Sequence, residues 1–260
     1  MPRFAANLTM MFNEVGFIDR FAAAAKAGFA GVEYLFPYDD DVTVLKQALD
    51  DSRLTQVLHN LPAGNWQSGE RGIACHPDRT KEFDEGVERA VTYATALGCT
   101  QVNCLAGIVP AGAHPSDVRA TFVGNLKRAA ARLKSAGIRL LIEPINTRDI
   151  PNFFLSRTAQ AIEIIEAVGS DNLFLQYDVY HMQIMEGDLS RTIERHLPLI
   201  AHMQIADPPA RHEPGTGEIN FSYLFKQIDK FGYAGWIGCE YKPAGRTEDG
   251  LGWMRSVDSR

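Results

Sequence analysis

Short runs of apolar, β-branched and aromatic residues alternate along the chain with longer stretches whose apolar positions recur at three-and-four spacing. The short runs lie at Arg3–Leu8, Gly31–Leu35, Leu54–His59, Gln101–Leu105, Arg139–Glu143, Leu173–Asp178, Leu199–Ile205 and Trp236–Tyr241. Each reads as a strand buried on both faces. Between them, Phe83, Val87, Ala90, Val91, Ala94 and Leu97 fall on one helical stripe, as do Val118, Phe122, Leu126, Ala130 and Leu133. Ser116 and Ser156 stand where helix N-caps are wanted, and Gly28, Gly98, Gly137 and Gly169 stand where helices should end.

Eight strands alternating with helices, each crossover right-handed, predict a parallel sheet covered by helices. The fold expected is α/β, a (β/α)8 TIM barrel, and the 260 residues suit one of ordinary size. A doubly wound open sheet is the competing architecture, but no G-x-G-x-x-G follows the first strand and no P-loop is present. No linker or composition shift divides the chain, so residues 1–260 are expected to form a single TIM-barrel domain. Two connections exceed what a barrel needs, residues 60–79 and 206–220. Both follow strands, on the face where barrel enzymes keep their active sites.

Composition narrows the class. Hydrophobic content of 45% with 22% charged residues is that of a soluble globular protein. Four irregularly spaced cysteines suit neither a disulfide framework nor a zinc finger, which points to a reducing, cytoplasmic setting. No apolar run is long enough for a membrane span, and the opening residues turn polar too early for a signal peptide. The net charge of −6 without a Lys/Arg block argues against a nucleic-acid partner and leaves a small molecule as the expected one. A homo-oligomer is compatible with all of this.

The candidate chemistry lies at the ends of the last four strands, in Glu143, Asp178, Gln204 and Glu240, separated by 35, 26 and 36 residues. In a barrel these side chains would meet at the C-terminal mouth. Three adjacent carboxylates repel one another and raise one another's pKa unless a cation lies between them. Oxygen donors of this kind suit Mg²⁺ or Mn²⁺. A lone acidic residue after a strand is more often a helix cap, but four in register favour a divalent-metal site.

Strand alternation places Lys242 with Glu240 and His202 with Gln204. Lys242 is a candidate for an anionic substrate group, whereas His202 reads as an orienting or packed histidine. His181, three residues past Asp178, would return over the metal, and Arg211 could fork onto a carboxylate. His59 and the segment Gly64–Gly72, which carries Trp66 and Arg71, suggest a lid; His59 and Arg71 are further candidates for substrate contact.

The runs IEPIN (Ile142–Asn146), QYDVYHMQ (Gln176–Gln183), HMQIAD (His202–Asp207), RHEPGTGEIN (Arg211–Asn220) and GCEYKP (Gly238–Pro243), with LHNLPAGNW and GERGIAC in the long loop, resemble the hydroxypyruvate isomerase family of xylose-isomerase-like barrels. The resemblance covers the whole chain. It implies a barrel with a divalent metal held by Glu143, Asp178, Gln204 and Glu240, with Glu143 and Glu240 as proton donor and acceptor. It implies that His181 and Arg211 contact substrate. Many related epimerases have a histidine as third ligand, from which Gln204 departs.

The activity implied is a keto–aldo isomerisation of an anionic 2-oxo acid, hydroxypyruvate to tartronate semialdehyde, by metal-assisted proton transfer through an enediolate. The segments PRFAANLTMMF and GLGWM also resemble the sister group of 2-oxo-tetronate isomerases. A different class, endonuclease IV-like phosphodiester cleavage, uses the same kind of barrel. It would need several zinc ions, hence many histidines, and a basic face.

Overall fold

A computed structural model describes residues 2–258. Eight parallel strands pair in sequence order and close into a barrel: β1 (Arg3–Asn7), β2 (Gly31–Glu33), β3 (Thr55–Asn60), β4 (Gln101–Cys104), β5 (Arg139–Ile142), β6 (Leu173–Asp178), β7 (Ile200–Gln204) and β8 (Trp236–Cys239). The chain divides into two compact bodies.

Among the described residues, the first body comprises 2–34, 43–57 and 177–258. In it Asn7 pairs with Glu33 across β1 and β2, Ala6 with Cys239 across β1 and β8, and Gln204 with Gly238 across β7 and β8. That register aligns the strand ends that carry the polar side chains. Its core includes the buried Val32, Met203 and Ile237 of the strands and Phe21 of the helix Asp19–Lys26.

The second body comprises Leu35–Val42 and Leu58–Gln176. Asn60 pairs with Asn103, Asn103 with Leu141, and Ile142 with Leu175. The helix Thr80–Leu97 buries Phe83, Val87, Ala90, Val91, Ala94 and Leu97, the predicted stripe. The helix Pro115–Ser135 does the same with Val118, Phe122, Leu126, Ala130 and Leu133. Each of the larger side chains contributes roughly 1.5–3 kcal/mol by leaving water.

The ends of the elements differ from expectation. Ser116 does not cap its helix: His114 is the N-cap, and its ring accepts from the Ser116 N–H. Ser156 does not cap either, because the next helix starts at Thr158 with Arg157 before it, and the Ser156 N–H goes to the side chain of Gln160. The four expected terminating glycines all adopt left-handed backbone, with φ between 66° and 95°. Six of the strands stop one or two residues sooner than their apolar runs suggest; in β5 and β8 this leaves Glu143 and Glu240 each just past the last ladder residue. A pair of helices, Val179–Met185 and Leu189–His196, fills the β6–β7 connection.

Candidate active site

In the first body, Asp178 ends β6 and caps the helix after it, its Oδ1 accepting from the Tyr180 N–H at 2.8 Å. The cap fixes the first helical turn, which brings His181 Nε2 to 3.5 Å from Asp178 Oδ2. Glu240, one residue past β8, accepts from Arg211 Nη2 at 2.7 Å and from Asn7 Nδ2 at 3.5 Å. Arg211 Nη2 also lies 3.7 Å from Asp178 Oδ2, and its guanidinium sits 4.8 Å from the ring centroid of Tyr180.

Arg211 is placed by its loop. The buried carboxylate of Asp207, three residues past β7, accepts from the backbone N–H groups of Gly215, Gly217 and Ile219 at 2.9–3.0 Å. Gly217 is required there, since a Cβ would stand 1.9 Å from the Pro208 carbonyl oxygen. Arg211 itself takes a left-handed φ of 60°, and its carbonyl accepts from the Lys242 N–H.

Asp178, His181 and Glu240 are all buried, and each offers a ligand atom within 4.8 Å of the others. Burial raises the Glu240 carboxyl to about 8 although Arg211 pulls it down, and the charge of Asp178 adds to the rise. Burial also raises Asp178 against the pull of Arg211. His181 is held well below the usual imidazole range, first by burial and then by Arg211, so it is neutral near pH 7. Carboxylates forced upward by burial are stabilised by a cation, and Asp178 Oδ2 has no hydrogen-bond donor. The buried carboxylate–histidine cluster could therefore bind a metal.

Gln204, the last residue of β7, is buried, and its Nε2 donates to Glu33 Oε1 at 2.8 Å. Lys242 does not follow Glu240 inward. The ladder ends at Cys239, so strand alternation no longer governs it, and the exposed Lys242 lines a groove with Thr9, Met10, Asn13 and Glu14.

In the second body, Glu143 follows β5, is buried, and accepts from Asn103 Nδ2 at 2.9 Å; the same amide reaches Asn60 Oδ1 at 3.2 Å. His59 is not in that set. Its side chain leaves β3 opposite to that of Asn60, toward Tyr38, whose hydroxyl lies 3.3 Å from Nδ1, and burial lowers its pKa to about 4. Arg71 stacks on Trp66 at 4.2 Å and donates to the carbonyls of Trp66 and Glu70, so its guanidinium is engaged within the loop. That loop packs closely: Gly72 has φ 110°, and a Cβ there would lie 2.4 Å from the Leu105 carbonyl oxygen.

Sequence reasoning missed Glu33, Asn7, Asn103 and Asp207. Glu33 had a legible signal, a single carboxylate inside an otherwise apolar run, which costs several kcal/mol unless it is paired. The asparagines have none, because an amide at a strand end is common.

Comparison with known proteins gives the same family. Residues 21–257 match the family described as xylose isomerase-like TIM barrel. The chain is 55% identical over 254 residues to hydroxypyruvate isomerase of Escherichia coli (strain K12), covering 98% of both chains. It is 49% identical over 255 residues to 2-oxo-tetronate isomerase of Cupriavidus necator, again covering 98% of each. A crystal structure from Brucella melitensis described as AP endonuclease, family 2 superposes with a TM-score of 0.96 at 47% identity, covering 98% of this chain and 99% of that one. A closed eight-stranded barrel whose sequence matches isomerases from end to end belongs to the xylose isomerase-like TIM barrel family, and the chain is an isomerase of its hydroxypyruvate and 2-oxo-tetronate isomerase branch.

Proposed function

We propose that this isomerase interconverts hydroxypyruvate and 2-hydroxy-3-oxopropanoate (tartronate semialdehyde). One observation carries the reading: a buried carboxylate–histidine group faced by Arg211, in a chain 55% identical to the E. coli enzyme of that name. Glu143, Asp178, Gln204 and Glu240 would hold Mg²⁺ or Mn²⁺, which when bound polarises the carbonyl and hydroxyl oxygens of adjacent substrate carbons. Glu143, buried just past β5 where it accepts from Asn103 Nδ2 at 2.9 Å, is taken as a donor from the family resemblance.

Glu143 and Glu240 move the carbon-bound proton. One takes a proton from C3 of hydroxypyruvate and the other delivers one to C2, through an enediolate, while the hydroxyl proton passes from the C3 oxygen to the C2 oxygen. Atoms and charge balance without a redox partner. Arg211 binds an anionic or developing oxygen by its fork, and neutral His181 donates or accepts one hydrogen bond there. His59, Arg71 and Lys242 are the further candidates for contact with the anionic substrate.

Glu143→Gln and Glu240→Gln remove the proton carriers and keep the shape. Each is expected to lower kcat on hydroxypyruvate by roughly 10²- to 10⁴-fold; near-wild-type turnover in either removes the assignment. The four-carbon 2-oxo-tetronates are the second reading, favoured by the 49% identity to the C. necator enzyme. The description of the Brucella protein points to DNA cleavage, but the net charge of −6 and a single metal-capable group among the described residues weigh against it here.

A further inference from the structure

A side-chain amide is ambivalent. Its oxygen and nitrogen ends are nearly the same size and of opposite polarity, and a half-turn of the group exchanges them. If Gln204 is to serve a cation, its Oε1 must face the ion, since an NH₂ group in the same place repels it. A glutamine at this position therefore needs a neighbour to settle the flip, as a ligating histidine needs one to settle its tautomer.

The structure provides a group that does so. Glu33, buried at the end of β2, accepts from Gln204 Nε2 at 2.8 Å, from Asn7 Nδ2 at 3.0 Å and from His202 Nε2 at 2.6 Å. All four side chains are at most 2% exposed. A carboxylate only accepts, so it can face only the NH₂ end of Gln204. Space for it is made by Gly238 on β8, where a Cβ would stand 2.3 Å from both carboxylate oxygens. Glu33 is not itself among the clustered donors. A carboxylate buried at the cost of three satisfied partners and a glycine is a poor packing device, because an apolar residue would fill the same space more favourably.

We propose that Glu33 is a positioning residue that locks the Gln204 amide with Oε1 presented to the metal, and that Asn7, His202 and Gly238 hold Glu33 in place. The proposal rests on the metal reading of the cluster. The test is Mn²⁺ titration of chelator-treated protein by calorimetry, with melting temperature as the fold control, so activity is not the readout. Glu33→Gln offers Gln204 an oxygen or a nitrogen and no longer chooses the flip. Affinity for Mn²⁺ is expected to weaken about 10- to 100-fold, the usual effect of losing a group behind a metal ligand.

In a Gln204→Leu background the same substitution should change affinity little, because nothing remains to orient. Gly238→Ala displaces the carboxylate without altering its chemistry and should reproduce the loss, which gives a second reading if Glu33→Gln does not fold. Wild-type affinity in Glu33→Gln or Gly238→Ala, or an equal loss in both backgrounds, overturns the role. A wild-type protein that takes up no Mn²⁺ overturns the metal reading itself, and the role with it.

Discussion

At the scale of single residues, burial decides which titratable groups matter. His59 is fully buried, and its pKa is lowered from 6.5 to about 4, chiefly by that burial. The unfolded chain takes a proton at pH values where the folded chain refuses it. The stabilisation is therefore present above pH 6.5 and is lost as pH falls through 4, and its size is about 3 kcal/mol. Denaturant melts at pH 4.5 and 7 should show a smaller pH dependence in His59→Gln than in wild type; an unchanged dependence would show that the ring titrates normally. The sequence makes His59 a candidate for substrate contact; in β3 its side chain leaves opposite to that of Asn60, toward Tyr38, while Asn60 meets Asn103. Glu143, Asp178 and Glu240 stand out in the sequence because, with Gln204, they recur in register at the ends of successive strands. The partners Asn7 and Asn103 were not, because nothing in an amide marks it out until its neighbours are known.

At the scale of elements, the loop after β7 acts as a unit tied by one carboxylate. Asp207 accepts three backbone N–H groups and so holds the segment that carries Arg211. Asp207→Ala should cost about 2–4 kcal/mol of stability, from loss of charge-assisted hydrogen bonds. It should also raise KM more than it lowers kcat, because Arg211 loses its place while the carboxylates remain; steady-state kinetics beside a denaturant melt would check both. A kcat loss with unchanged KM would contradict this role. The strands and helical stripes could be read directly, since burial on both faces and 3.6-residue periodicity leave unmistakable patterns. Caps could not, because His114 and Arg157 occupy positions where sequence preference wants serine. The helix pair after β6 was hidden by its shortness.

At the scale of the whole molecule, a closed barrel collects strand ends that are far apart in sequence, and this is why spacing alone suggested a shared site. Charge makes the consequence testable. An ion bound by the folded chain and not by the unfolded one stabilises the fold, so saturating Mn²⁺ or Mg²⁺ at about 100 times its Kd should raise Tm by roughly 5–10 °C, and EDTA should reverse the rise. No shift with either ion would remove the metal from the account. The central claim is tested most directly by following hydroxypyruvate by NMR with the metal-loaded protein, with and without EDTA. The account predicts catalytic formation of tartronate semialdehyde that stops when the chelator is added. Conversion unaffected by chelator, or no conversion of hydroxypyruvate alongside rapid conversion of a 2-oxo-tetronate, would contradict it.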